Sequence, residues 1–128
     1  KMTYIQLFIC ILVIHFLADF ALQTHEQATK KGESNKWLFY HVGTYTLVWL
    51  CTFLFLPIQE NFNNIYGFFI FGILIFVPHF ITDWITSRVG KPFWSNNDYH
   101  NGFVVIGFDQ VIHYLCLLWL LSNILILK

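Results

Sequence analysis

Residues Ile65–Ile85 read IYGFFIFGILIFVPHFITDWI, an apolar stretch with no Lys or Arg and one acid, Asp83. A helix that crosses the hydrocarbon core of a bilayer needs about 20 mostly apolar residues, and this segment supplies them. Three further stretches match it: about Thr3–Leu22, Trp37–Ile58 and Phe103–Leu127. The expected fold is therefore all-α, a four-helix transmembrane bundle forming one integral membrane domain over residues 1–128. The first stretch is not expected to be a cleavable leader. It has no basic region beyond Lys1, and Asp19 stands where a small-residue cleavage site would fall.

Composition agrees. Of 128 residues, 57% are hydrophobic and 11% charged, with a mean hydropathy of +0.60. Soluble domains carry about 25% charged residues, so an ordinary soluble enzyme is excluded. Seven Lys and Arg balance seven Asp and Glu, which excludes a nucleic-acid binder working through a basic patch. The expected partner is the lipid bilayer. Cys10, Cys51 and Cys116 lie in apolar runs with no C-x-x-C pair, so they read as small hydrophobes rather than a disulfide framework or thiolate metal site.

Four spans place both termini on one side. The opposite side carries the connections 23–36 and 86–102, with Lys30, Lys31, Lys36, Arg88 and Lys91, whereas the 59–64 turn carries no Lys or Arg. The positive-inside rule makes the basic side cytoplasmic and the termini external. Trp37, Tyr40, Trp84, Phe93, Trp94 and Tyr99 fall near that boundary, as an interfacial aromatic belt would.

Inside the spans stand His15, Asp19, His41, His79, Asp83, Asp109 and His113. Ionisable groups at membrane depth are costly and are functional candidates by default. His15 and Asp19 are four residues apart, as are His41 and Tyr45, His79 and Asp83, and Asp109 and His113. Residues at i and i+4 share a helix face, so every span presents one His with a polar companion. All lie toward the cytoplasmic end, which predicts one shared site open to that side. Residues 14–20 (IHFLADF) and 78–84 (PHFITDW) also resemble each other, consistent with two tandem helical hairpins.

Imidazoles with carboxylates and no thiolates suit a divalent metal ion: zinc first, with manganese, iron and nickel as alternatives. All seven residues are candidate ligands. Seven exceed the three protein ligands of a catalytic zinc, leaving two metals or carboxylates that orient His rings. A structural polar network, a metal-free proton or ion relay, and haem between facing imidazoles are the other readings of this set. Gln23, Gln110 and Tyr45 flank the cluster, Pro78 precedes His79, and His25 and His100 are expected on the solvated surface.

The motifs HFLADFALQ at 15–23, H-x-x-x-Y at 41–45, H-F-x-x-D at 79–83 and F-D-Q-x-x-H at 108–113 resemble a family of small membrane proteins of bacteria and their phages, catalogued as domain of unknown function 3307. The resemblance implies a membrane location, taken with the loop charges as a bacterial inner membrane, and no activity. In chemistry, not in fold, the layout is similar to membrane metal hydrolases of the ceramidase and adiponectin-receptor type, which hold zinc with His and Asp near the cytosolic face.

The expected function is metal-dependent hydrolysis, at the cytoplasmic face, of a lipid-like or small substrate. Asp19 or Asp83 would serve as general base, since no Ser or Cys stands on the polar stripe as nucleophile. Two alternatives are open. One is a metal-ion or proton carrier or sensor, which with so few spans needs a homo-oligomer. The other is a small subunit docking a membrane or cytoplasmic partner, with the metal as a structural staple.

Overall fold

Thr3 starts the first helix: its hydroxyl accepts from the Gln6 amide while the Gln6 side chain accepts from the Thr3 amide, satisfying two amides a helix start leaves free. The computed structural model describes residues 1–128, and its regular elements are all helices. Helix α1 spans Tyr4–Phe16 and runs into a π-helical turn, Leu17–Ala21, closed by the Leu22 amide on the Leu17 carbonyl at 2.9 Å. Then follow α2 (His25–Lys30), α3 (Asn35–Phe53), α4 (Ile65–Ser95) and α5 (Tyr99–Ile124).

The helix boundaries differ from the expected spans and connections in five places. The polar connection 23–36 is not all loop, because Thr24 and Gln27 form a second reciprocal cap that starts α2. Helix α3 ends at Phe53 rather than near Ile58; Pro57 disfavours helical backbone at Leu56. Helix α4 does not stop at Ile85 but continues through Gly90 and Pro92 to Ser95. Its extension packs on the start of α5, where a Cβ on Gly102 would meet the Trp94 ring at 2.8 Å. Helix α5 accordingly begins at Tyr99, capped by Asp98, rather than at Phe103, and stops at Ile124 rather than Leu127. Residues 125–127 are instead extended: Leu125 pairs with Ile58 and Leu127 with Met2, and the Ile126 amide donates to the Pro57 carbonyl at 2.8 Å.

Three helical stretches, Tyr4–Ala21, Ile65–Ser95 and Tyr99–Ile124, are long and apolar enough to cross a membrane; α3 is not among them. Helix α1 packs on α5 and α3, α3 on α4, and α4 on α5, while α2 lies against α3. Phe8, Ile9, Phe69, Ile73, Val104 and Leu115 are among many large apolar residues facing outward, as lipid-facing surfaces do and water-facing ones rarely do.

The interior has two tiers. Leu7, Ile11, Trp49, Phe53, Phe71, Ile75, Leu117 and Leu121 form the apolar tier nearer the termini. The same buried stripes then turn polar: α1 continues from Ile11 to His15 and α4 from Ile75 to His79 and Asp83, while α5 reaches Asp109 and His113 before Leu117. Glycines that suggest close helix packing divide. A Cβ on Gly67 would stand 1.9 Å from the Phe62 carbonyl oxygen and one on Gly72 would touch Leu50, but Gly43 and Gly107 face open space.

Candidate metal centre

The i,i+4 stripes bring the seven predicted side chains to one buried layer: His15, Asp19, His41, His79, Asp83, Asp109 and His113 are each at most 8% exposed. His41 Nε2 lies 3.0 Å from Asp19 Oδ1, 3.1 Å from Asp83 Oδ2 and 3.3 Å from His79 Nε2. His79 Nε2 lies 3.5 Å from the same Asp19 oxygen and 3.6 Å from the same Asp83 oxygen. Two ring nitrogens, each with at most one proton, thus converge on two carboxylate oxygens and on each other.

These four atoms have the spacing of a ligand set. A regular tetrahedron of edge about 3.3 Å has its centre about 2.0 Å from each vertex, the usual zinc–nitrogen and zinc–oxygen bond length. Five of the six separations, 3.0–3.6 Å, bracket that edge. The four residues form a group able to hold a metal ion, and Asp19, Asp109 and His113 form a second, sharing Asp19.

Around this set the remaining residues act as supports. Tyr45 stacks on His79 with ring centroids 3.8 Å apart, and His79 on His113 at 4.1 Å. This stack holds the His79 ring, whose Nδ1, like that of His41, has no hydrogen-bond partner. His113 Nε2 reaches Asp83 Oδ1 at 2.9 Å and Asp109 Oδ2 at 3.3 Å. His15 belongs to neither metal-capable group. It hydrogen-bonds Tyr45 Oη at 2.9 Å and Gln110 Oε1 at 2.7 Å, and its Nε2 is 3.5 Å from Asp19 Oδ2. The Gln110 amide donates to Asp19 Oδ2 and Asp109 Oδ2, holding two like-charged groups together.

Two participants escape the sequence reading. Lys31, the residue after α2, brings its ammonium to 2.7 Å from Asp83 Oδ2 and 3.2 Å from His41 Nε2. Burial alone would lower its pKa, but Asp83 and Asp19 outweigh that and hold it above the ordinary lysine value. Gln27 anchors α2 by donating to Thr44 Oγ1 at 3.1 Å, which fixes the path of Lys31. Thr86 donates within 2.6 Å of Asp109 Oδ1. Its spacing from Thr82 was the available signal. His25 and His100 are exposed as expected.

A cavity of about 490 Å³ runs from the exposed Glu33, Lys91 and Ser95 to the buried Asp19 and Asp109, between the π-turn, α2, α4 and α5. Of the four-donor set only Asp19 is on its wall, beside Lys31.

The fold and site together define a class: an all-helical protein with membrane-length apolar helices and a buried His/Asp cluster able to hold a metal. The chain belongs to the family described as protein of unknown function (DUF3307), whose model matches residues 7–127. No curated protein and no solved structure matches it.

Proposed function

We propose that this chain is a four-span protein of the bacterial inner membrane. In this reading it binds one divalent ion, zinc before manganese, iron or nickel, and hydrolyses a lipid-like or small substrate at the cytoplasmic face. The observation that carries the reading is the convergence of His41, His79 and Asp83, whose donor atoms lie 3.1–3.6 Å apart, with the Asp19 carboxylate beside them. Charge favours a cation: Asp19, Asp83 and Asp109 bring three carboxylates to a buried layer, and a divalent ion offsets charge that burial penalises.

When bound, such an ion supplies Lewis acidity sufficient to bring the pKa of a water to about 7. His41, His79 and Asp83 would hold it, since all three lie behind the cavity wall. Asp19, reached from the cavity, is placed to take the proton of an attacking water. Asp83 is the poorer base, because Lys31 and His113 already occupy its oxygens. The cavity favours hydrolysis over a carrier or a structural staple, which need no substrate-sized space beside the ion. The resemblance of 14–20 to 78–84 supports tandem hairpins, with roles divided: His79 points at the donor set and His15 braces it.

Elemental analysis of purified protein tests this. One metal per chain is expected, lost in His41→Ala and in His79→Ala. In His15→Ala it is retained but weakened, by about 10–100-fold. Metal-free protein whose thermal unfolding ignores chelators would leave a proton relay as the better account.

A further inference from the structure

The cavity carries information about what enters it. Its volume, about 490 Å³, is that of a small-molecule site. Two atoms of its lining residues, Gln23 Oε1 and Ser87 Oγ, are buried without any hydrogen-bond partner, a costly condition that native proteins keep rare. Phe20 and Ile106 also line it, and both are exposed apolar residues, on the π-turn and α5. The cavity thus joins unsatisfied polar groups to exposed apolar surface on helices of membrane length.

Charge selects the head group. Of the cations on the wall, Lys31 is held by Asp83 at 2.7 Å and Lys91 is paired with Glu33 at 3.3 Å. The wall also carries Asp19, Glu33 and Asp109, so no cation is left over for an anion. We propose that the cavity takes an uncharged single-chain amphiphile. Its hydrogen-bonding head meets Gln23 and Ser87, and its chain leaves past Phe20 and Ile106 into the bilayer. That such an amphiphile is the substrate rests on the proposed function; the shape and charge of the cavity do not.

Trp94 lines the cavity and reports occupancy. The protein in phosphatidylcholine nanodiscs is titrated with a long-chain bromo-alcohol, with a bromo-fatty acid of equal length, and with glycerol as a head without a chain. Quenching in Trp94→Phe is subtracted to remove the other tryptophans. Saturable Trp94-dependent quenching by the alcohol is expected, at a half-saturation at least about fivefold below that of the acid, roughly the worth of one hydrogen bond. Excess glycerol should leave it unmoved, and Ser87→Leu should raise the half-saturation by a similar factor. Absence of a saturable Trp94-dependent component, displacement by glycerol, or an acid that binds as well as the alcohol overturns the proposal. Should Ser87→Leu fail to fold, the wild-type comparison of alcohol and acid still decides. Metal analysis of the same preparation separates the two readings. Metal-free protein that shows the alcohol signal sinks the metal reading alone; metal-loaded protein without it sinks this one alone.

Discussion

Lys31 decides how the buried carboxylates are held when no other cation is near. Its ammonium contacts Asp83 Oδ2 and His41 Nε2, two of the four converging donors. A divalent ion among those donors would feel repulsion from a positive charge a few ångströms away, an interaction that local water and protein relaxation weaken but do not abolish. Lys31→Met should therefore bind metal more tightly, by at least about tenfold, while the metal-free form unfolds at a lower temperature because the buried carboxylates lose the ammonium that contacts Asp83. Metal titration and thermal unfolding with and without chelator measure both; weaker metal binding in the variant would show that Lys31 organises the donors instead of competing with their ion. This residue was not legible in the sequence for a definite reason. Spacing of i and i+4 exposes partners on one helix, and it found all seven His and Asp of the layer. Lys31 reaches the layer from a connection, through the cap on Thr24 and the Gln27 anchor on Thr44, and as a sequence feature it is one of five basic residues on that side. Nor does spacing reveal which members of the layer converge: His15 and His79 sit in similar motifs, but only His79 meets the four-donor set.

At the scale of elements, hydropathy located the apolar stretches and misplaced their ends, because the ends are set by contacts and backbone chemistry that hydropathy does not see. Gly90 and Pro92 look like punctuation, yet α4 passes through both where α5 packs against it, with Gly102 directly under the Trp94 ring. Small residues are similarly ambiguous until their neighbours are known. Gly67 opens α4 with its amide donated to Asn64 Oδ1 at 2.9 Å, and an added Cβ would stand 1.9 Å from the Phe62 carbonyl oxygen. Backbone cannot yield there as a flexible side chain would, so Gly67→Ala should cost at least about 2 kcal/mol. Gly107 and Gly43 lie within helices with nothing near the added atom. Alanine at either should stabilise by about 0.5–1 kcal/mol through reduced freedom of the unfolded chain. Thermal unfolding of the three variants in one detergent checks the contrast, and a stabilised Gly67→Ala would contradict the packing at the start of α4.

At the scale of the whole molecule, the question is how α3 stands relative to the three membrane-length helices. Its polar inner stripe, with His41, Thr44, Tyr45 and Thr46, keeps its hydropathy low, yet that stripe faces the interior and not the outside. At 1.5 Å per residue its 19 residues measure about 28 Å, close to the ~30 Å of a hydrocarbon core. Its end is fixed in the molecule: the segment after it pairs with the C-terminal segment at Ile58–Leu125, and the C-terminal segment pairs with the N-terminal one at Met2–Leu127. The 54–64 segment and both termini therefore lie at one end. The other end carries Lys30, Lys36 and Arg88, stacked over Trp37, Tyr40 and Trp84 at 4.6–5.9 Å, a basic and aromatic rim of the kind that marks a cytoplasmic interface. If α3 crosses with the others, reporters fused at Asn61 and at Lys128 should both score external, and one placed at Asn97, between α4 and α5, should score cytoplasmic. An external Lys128 with a cytoplasmic Asn61 would mean that α3 does not cross. The segment pairing at that end would then be broken in the membrane, and His41 could not reach the depth at which it meets His79 and Asp83.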